Sequence, residues 1–550
     1  MEQRRLFLTV AISLLIFILY QELVLKRFYP QPDSAAPTPA AIDNPPLADA
    51  AGAPAAKEPS AAEPAPDNGA AVAQLGEGRD VVVETDLYRA TFTTRGGRLK
   101  GLDLKRYAAT VASDSPPLQL VLFPSPTRLP LALGLRGADQ RFDDYSILYD
   151  VDQTAVDLGS DGTTTLTFTG ALPGGGTLRK RITMHGHDYL WSLDVEAQSV
   201  PPAYTEMALA WDEGIDPAGV NAAEVVFDSV VVLQQNKLQK LLYKDLDPPK
   251  LLDNDISWVG FSGRYFLAAL VPDGDPANAL RVWAHREADY VQAQVLFPPG
   301  VFQAKSDLYV GPKDIDRLEA VGHGLRKAVD LGWFSFIALP MLQALRFLHK
   351  FTGNYGVAII VLTLVLKLLF FPLTKKSFES MSAMQKLQPE MQRLRERLKD
   401  KPDEMNREIM ELYKRHKVNP LGGCLPMVLQ IPVFVGLYNA LLNAVELRHA
   451  PFIGWIHDLS APDRLGTIQL PFVTHPGVPV LTLVMGASML MQQWMSPSAG
   501  DPAQQRAMMI MPVVFTFMFM NFPAGLTLYW LVNNCLTIGQ QYAMLRKNRR

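Results

Sequence analysis

Cysteine is nearly absent: Cys424 and Cys535 are the only two in 550 residues, and both lie in apolar runs. No disulfide framework, CxxC redox pair or cysteine zinc site can be built from them. No GxxxxGK[ST] loop occurs, so ATP hydrolysis by this chain is not indicated. His185 and His187 sit two apart on one strand face, without a carboxylate or third histidine close by, and read as surface or half-buried histidines. No metal site and no cofactor is expected. Charge of one sign is not in excess either, at net −3. Where charge lies matters more than its sum in a chain with long apolar runs.

Those runs dominate from residue 331 onward. Tyr355–Pro372 (YGVAIIVLTLVLKLLFFP) is long enough to cross a bilayer and carries one full charge, Lys367, with Thr363 a turn before it. A lysine there costs about 2.5–3.5 kcal/mol on insertion scales and normally faces a protein interior or a wet cavity. Snorkelling to the nearby interface is the plainer alternative. Four further spans are expected, at Leu421–Val445, Val478–Met495, Ala507–Phe522 and Leu526–Met544. The third of these has about 16 residues, roughly 24 Å against about 30 Å of hydrocarbon, so the bilayer should thin beside it. Polar groups recur within the spans: Gln430, then Gln492 and Gln493, then Asn533, Asn534, Thr537, Gln540 and Gln541. Such groups avoid lipid and should converge with Lys367 on one cavity. Lys367 lies toward the charged loop, so the cavity should open to that side. Ile431, Phe434 and Leu437, and Phe515, Phe517 and Phe519, present large apolar side chains to lipid, or to a passing apolar segment.

Upstream the chain changes character three times. Arg4 and Arg5 precede an uncharged run from Leu6 to Gln21, and no small-residue cleavage site follows. Residues 1–29 therefore read as an uncleaved signal anchor with its N-terminus inside. Residues 30–78 are rich in Pro and Ala and form a disordered tether. Residues 79–325 alternate with period two, as in Tyr88, Ala90 and Phe92 or Trp191, Leu193 and Val195, and carry Gly-rich turns; they read as a large antiparallel β-sandwich outside the cytoplasm. Residues 326–352 (Phe334, Ile337, Met341, Leu345 and Leu348 at helical spacing, with Trp333 near the start) suggest an amphipathic helix in the interface, kinked at Pro340. Residues 374–420, inside a core of 353–545, read as a helical hairpin. Its many basic residues put it in the cytoplasm, as does the tail 546–550. The fold class is then a polytopic α-helical membrane protein. It has six transmembrane helices, five of them a core, a large periplasmic antiparallel β-sandwich and a cytoplasmic helical hairpin.

Several segments (FTGNYGVAII, FPLTKKSFESM, KVNPLGGCLPMVLQIPVF, IHDLSAPD and FPAGLTLYW) resemble the YidC membrane-protein insertases, relatives of the mitochondrial Oxa and chloroplast Alb proteins. The resemblance covers the whole chain, and the anchor, tether and β-domain point to the Gram-negative branch. It implies a non-enzymatic insertase and chaperone of the bacterial inner membrane, working alone or with the Sec translocon. Its core would enclose a hydrophilic groove open to cytoplasm and lipid. In that groove a positive residue attracts the polar flank of a substrate. Lys367 matches that residue, where many relatives carry arginine; lysine keeps the charge and loses the bidentate fork. Thr363 and the Tyr529-Trp530 pair match other groove positions, joined by Gln430 and Gln493. Ile431, Phe434, Phe515 and Phe519 would form the slide. Arg393, Arg397, Lys414, Arg415, Arg546, Lys547, Arg549 and Arg550 would contact ribosomes or the signal recognition particle and its receptor. Nascent inner-membrane proteins and lipids complete the partners, with no DNA. Two other readings, a secondary transporter and a membrane-anchored periplasmic carbohydrate-active protein, sit less well. No internal repeat is visible, and a stalk needs neither five further spans nor a hairpin.

Overall fold

The computed structural model describes residues 78–549, except 122–127, 216–226, 274–279, 288, 399–400, 417, 419–424, 469–475 and 496–501. The expected anchor and nearly all of the tether lie outside the described residues.

From Asp80 to Pro312 the chain is β structure, twenty strands among the described residues. Period-two patterning explains the local outcome. In Tyr88–Thr93 the residues Tyr88, Ala90 and Phe92 are buried while Arg89 faces solvent. In Leu190–Gln198 the buried set is Trp191, Leu193 and Val195. On the outer face of that strand Asp194 meets Arg181 at 2.8 Å across the ladder. Glycine carries the turn before the facing strand: Gly176 has φ of +109°, and a Cβ there would come within 2.4 Å of the Gln198 carbonyl.

The expected two-layer antiparallel sandwich is more elaborate. There are three sheets, of five, nine and six strands. One pair, Asp80–Glu84 with Ala155–Asp157, is parallel. The five-stranded sheet packs on the nine-stranded one through Phe92, whose ring lies 6.1 Å from Phe168 and 5.9 Å from Trp191. The six-stranded sheet packs on it elsewhere, with Trp211 6.4 Å from Phe261. All three sheets meet at a buried carboxylate. Asp144 accepts from Arg98 (2.9 Å), Tyr149 (3.0 Å) and the Leu133 amide (3.2 Å), and pairs with Lys180 at 2.6 Å. Lys180 also donates to the Gly96 and Leu131 carbonyls. Such a group must be fully compensated to survive burial. His185 bonds Thr163, and no cluster of metal-ligating side chains occurs among the described residues.

Helices follow. Asp314 caps α1 (Ile315–Val321) by accepting from the amides of Asp316 and Arg317. Helix α2 (Ser335–Thr352) buries Ala338, Met341, Leu342 and Leu345. The expected apolar stripe therefore packs inward; Ile337 lies against Gly436, where a Cβ would come within 3.0 Å of it. A second apolar set, Trp333, Phe336, Phe347 and Phe351, is exposed, Trp333 to 96%. Arg346 on α2 pairs with Asp316 at 2.5 Å and Glu446 at 3.3 Å, joining the β-domain to the helices.

Helix α3 (Tyr355–Lys386) starts where the sequence predicts but runs on for 32 residues, into the segment expected as the first hairpin arm. The break comes at Leu387, because Pro389 has no N–H to continue the ladder and instead opens α4 (Gln388–Arg397). Helix α5 (Pro402–Arg415) packs on α4, with the Tyr413 hydroxyl 3.2 Å from the Met391 sulfur. Then come α6 (Leu425–Asn443), α7 (Val480–Met495), α8 (Pro502–Phe519) and α9 (Ala524–Arg549). Among the described residues α3 alone is long and apolar enough to cross a membrane by itself. The apolar stretches Leu429–Asn443, Val480–Met495 and Met508–Phe519 lie within α6, α7 and α8. Helix α9 packs on α3 and α7, while α2 packs on α3 and α6.

Candidate functional site: a polar cleft between apolar helices

Helical period decides which polar side chains meet. On α3, Thr363, Lys367 and Thr374 project to one side with Leu366, Phe370 and Leu373. Opposite them stand Gln430 and Val433 of α6 and Tyr529 and Asn533 of α9. Together they line a narrow cleft that is partly open to solvent. The Lys367 ammonium donates to Thr537 Oγ1 at 2.6 Å and to Asn533 Oδ1 at 3.3 Å. These acceptors are four residues apart, hence stacked on one face of α9. Both are neutral, and among the described residues no carboxylate lies within ion-pair distance of Lys367. An ammonium has three N–H donors, so two bonds leave capacity for an incoming acceptor. Across the cleft Gln430 Nε2 donates to the Tyr529 hydroxyl at 3.3 Å. Thr363 is buried and turns its hydroxyl back to the Ile359 carbonyl at 2.6 Å, presenting its methyl rather than a donor.

Of the expected groove residues, then, Lys367, Thr363, Gln430 and Tyr529 come together. Gln493 and Trp530 do not line the cleft. Trp530 joins an aromatic cluster, its ring 5.3 Å from Phe434, 5.6 Å from Phe519 and 6.4 Å from Phe515. Asn534 faces away and donates to Ser488 of α7 at 3.0 Å. Ser488 was missed in the sequence, although a serine inside an apolar span is the same signal as Gln430.

The expected slide residues lie in differing surroundings. Ile431 is exposed at 53%, and Phe434 and Phe515 are half-buried. Phe519 is only 1% exposed, stacked on Phe522 at 4.9 Å. Residues 515 and 519 are four apart and share the face toward α9, whereas Phe517, at 55% exposure, points the other way. Treating the three as one surface imposed a strand period on a helix. Of the basic set, Arg393, Arg397, Lys414, Arg415 and Arg546 are exposed. Lys547 and Arg549 fall on α9, the side chains of both lying outside the described part, and Arg550 is beyond the described residues.

Comparison with known proteins agrees with this layout of a β-rich domain followed by a helical membrane region. A family profile described as the YidC periplasmic domain matches residues 80–344, and one described as 60Kd inner membrane protein matches residues 347–550. Membrane protein insertase YidC of Pelobacter propionicus is 41% identical over 98% of this chain and 98% of its own. That of Syntrophus aciditrophicus is 38% identical, again over 98% of both. A solved structure described as an active YidC insertase with its first transmembrane domain resolved is 16% identical, with a TM-score of 0.37 over 85% of this chain and 95% of that one. The chain belongs to the YidC family of membrane protein insertases, and its setting is the inner membrane.

Proposed function

We propose that the cleft receives the polar flank of a nascent inner-membrane protein, and that Lys367 is the group that attracts it. The observation carrying this is the charge held among apolar helices by neutral side chains only. A buried ammonium without a carboxylate is costly. An acidic or carbonyl-rich segment entering from the cytoplasm supplies the missing acceptors. Tyr529 and Gln430 offer it further hydrogen bonds from the opposite wall. The substrate's apolar helix then leaves into lipid past Ile431, Phe434 and Phe515, driven by its own burial.

In this reading six helices span the membrane, both termini are cytoplasmic and the β-domain is periplasmic. Helices α4 and α5 form a cytoplasmic hairpin, presenting Arg393, Arg397, Lys414 and Arg415 to ribosomes or targeting factors, together with the basic end of α9. The Sec translocon shares part of the work. No bond is made or broken by this chain.

The test is complementation of a depleted strain, with insertion followed by protease accessibility. Lys367→Glu should reduce insertion of small substrates with acidic tails to the depletion background, while Lys367→Arg retains it. Full activity of the Glu variant would overturn the role of the charge.

A further inference from the structure

Helix α9 changes character along its length. In its first turns Ala524, Leu526, Leu528 and Tyr529 are buried in the helical core. Beyond Trp530 the buried side chains among the described residues are Asn533 and Asn534 alone. Apolar packing thus fixes the angle of the first half of the helix and has little hold on the second, where the two acceptors of Lys367 sit. Consecutive residues of a helix point about 100° apart. Asn533 accordingly turns to α3 and Asn534 to α7. Asn534, 2% exposed, donates its amide to Ser488 Oγ at 3.0 Å. The single proton of that hydroxyl goes to the Met485 carbonyl at 2.5 Å. Toward α9 Ser488 can therefore only accept, and the amide nitrogen of Asn534 is the group that fits it. Helix α7 is a firm reference for this bond. Asp463, 4% exposed, accepts from the Leu481 amide at 2.7 Å and the Thr482 hydroxyl at 2.9 Å at its start. Further along, Gly486 lies so close to Thr516 of α8 that a Cβ has no room.

We propose that the Ser488–Asn534 bond is a rotational key: it turns the second half of α9 so that Asn533 and Thr537 meet the Lys367 ammonium, which makes Ser488 a positioning residue for insertion. It rests on the reading that Lys367 attracts the substrate. Asn533 and Thr537 hold two of the three N–H donors of Lys367. They fix the direction of the ammonium, and with it the place where the third donor meets an incoming carboxylate. A single side-chain hydrogen bond between membrane helices is weak, so its loss leaves the helices assembled and frees only the angle.

Rotation is read by cross-linking in the full chain with both native cysteines replaced by serine. Lys367→Cys removes the lysine's own grip on α9 and leaves the key to set the angle. Paired with Thr537→Cys it should be joined by a short bis-maleimide. Paired with Ile538→Cys, four residues beyond Asn534 and so on the α7 side, it should be joined several-fold less. Adding Ser488→Ala should bring the two yields together, and Ser488→Thr, which keeps the hydroxyl, should preserve the difference. Function is read by complementation with two substrates, one with an acidic tail and one with an uncharged tail. With Lys367 in place, Ser488→Ala should slow insertion of the acidic one several-fold and leave the uncharged one at the parental rate, while Ser488→Thr restores both. If Ser488→Ala does not accumulate, Asn534→Ala breaks the same bond from the other side and is read in both assays. A cross-linking preference that survives loss of the bond overturns the key. An equal fall for both substrates overturns the positioning role in favour of general packing. Lys367→Glu, measured alongside, keeps the two readings apart: parental insertion of the acidic tail would sink the attraction by Lys367, and the cross-linking would still decide the key.

Discussion

Lys180 of the β-domain and Lys367 of the helical region are both withdrawn from water, and their surroundings are opposite. Lys180 is fully buried, 2.6 Å from the Asp144 carboxylate, with two backbone carbonyls taking its remaining donors. Burial draws its pKa down to about 8, and the carboxylate opposes that fall. Lys367 meets an amide and a hydroxyl and no carboxylate. The first arrangement is closed: every hydrogen-bonding capacity is used, and its effect is to pin three sheets together. The second is left incomplete on a wall that a passing chain can reach. A compensated buried charge specifies a fold, and an uncompensated one is kept for a partner.

The sharpest way to break this contrast is Asp144→Ala. It leaves Lys180 and Arg98 buried without their anion, and removing one partner of a buried pair costs about 3–5 kcal/mol. Hydrogen exchange in the full chain should show that loss across the strands Arg98–Ala108 and Thr177–His185, while the amides of α3 and α9 keep their protection. Equal loss in both regions would mean that they fold as one unit.

Asp212 gives a smaller, pH-dependent effect. It is buried and accepts from Gln292, and burial raises its carboxyl from 3.8 to about 6. A raised folded-state pKa means that the folded chain holds this proton more tightly than the unfolded chain does. Its stabilising contribution is therefore present below about 3.8 and is lost as pH rises through about 6. The loss amounts to about 3 kcal/mol at roughly 1.4 kcal/mol per pH unit. Asp212→Asn should recover that amount at pH 7.5, read from exchange in the strand Glu206–Gly214, and gain nothing below pH 4. A gain independent of pH would point to packing instead.

The smallest expected change in stability is at the other lysine. Lys367→Met removes a charge that no carboxylate compensates, at the cost of two hydrogen bonds to neutral groups, so global stability should move by less than about 1 kcal/mol or rise, judged by thermal unfolding in detergent. Insertion should fail all the same. A large destabilisation would place Lys367 with Lys180 among the structural charges.

How far the sequence disclosed this depended on the range of the interaction. Period-two alternation identified strands such as Tyr88–Thr93, because burial on one face is a local pattern. It could not reveal that Asp80–Glu84 pairs in parallel with Ala155–Asp157, since that register is set by residues some 70 positions apart. Lys367 was visible as a charge in an apolar run. Its acceptors were visible only as a class, because the polar residues of α9 point in several directions. Asn533 and Thr537 turn toward Lys367 and Asn534 toward Ser488, as the rotation of one helix dictates. Asp463 gave no signal at all: an aspartate in a polar loop looks the same whether it is solvated or buried beneath the end of a helix. Phe515 and Phe519 were legible as a pair, because residues four apart share one face of a helix.

Helix α3 has a mechanical consequence. It is one rod of 32 residues, about 48 Å long, carrying the ammonium partway along and the approach to α4 at its far end. Pro372 withdraws the amide that would have met the Leu368 carbonyl, so the rod has a compliant joint just beyond Lys367. About 21 Å of helix extends from that joint to Lys386, and a tilt of about 5° there sweeps the far end by roughly 2 Å. Load applied to the basic helices α4 and α5 thus arrives beside the cleft as torque.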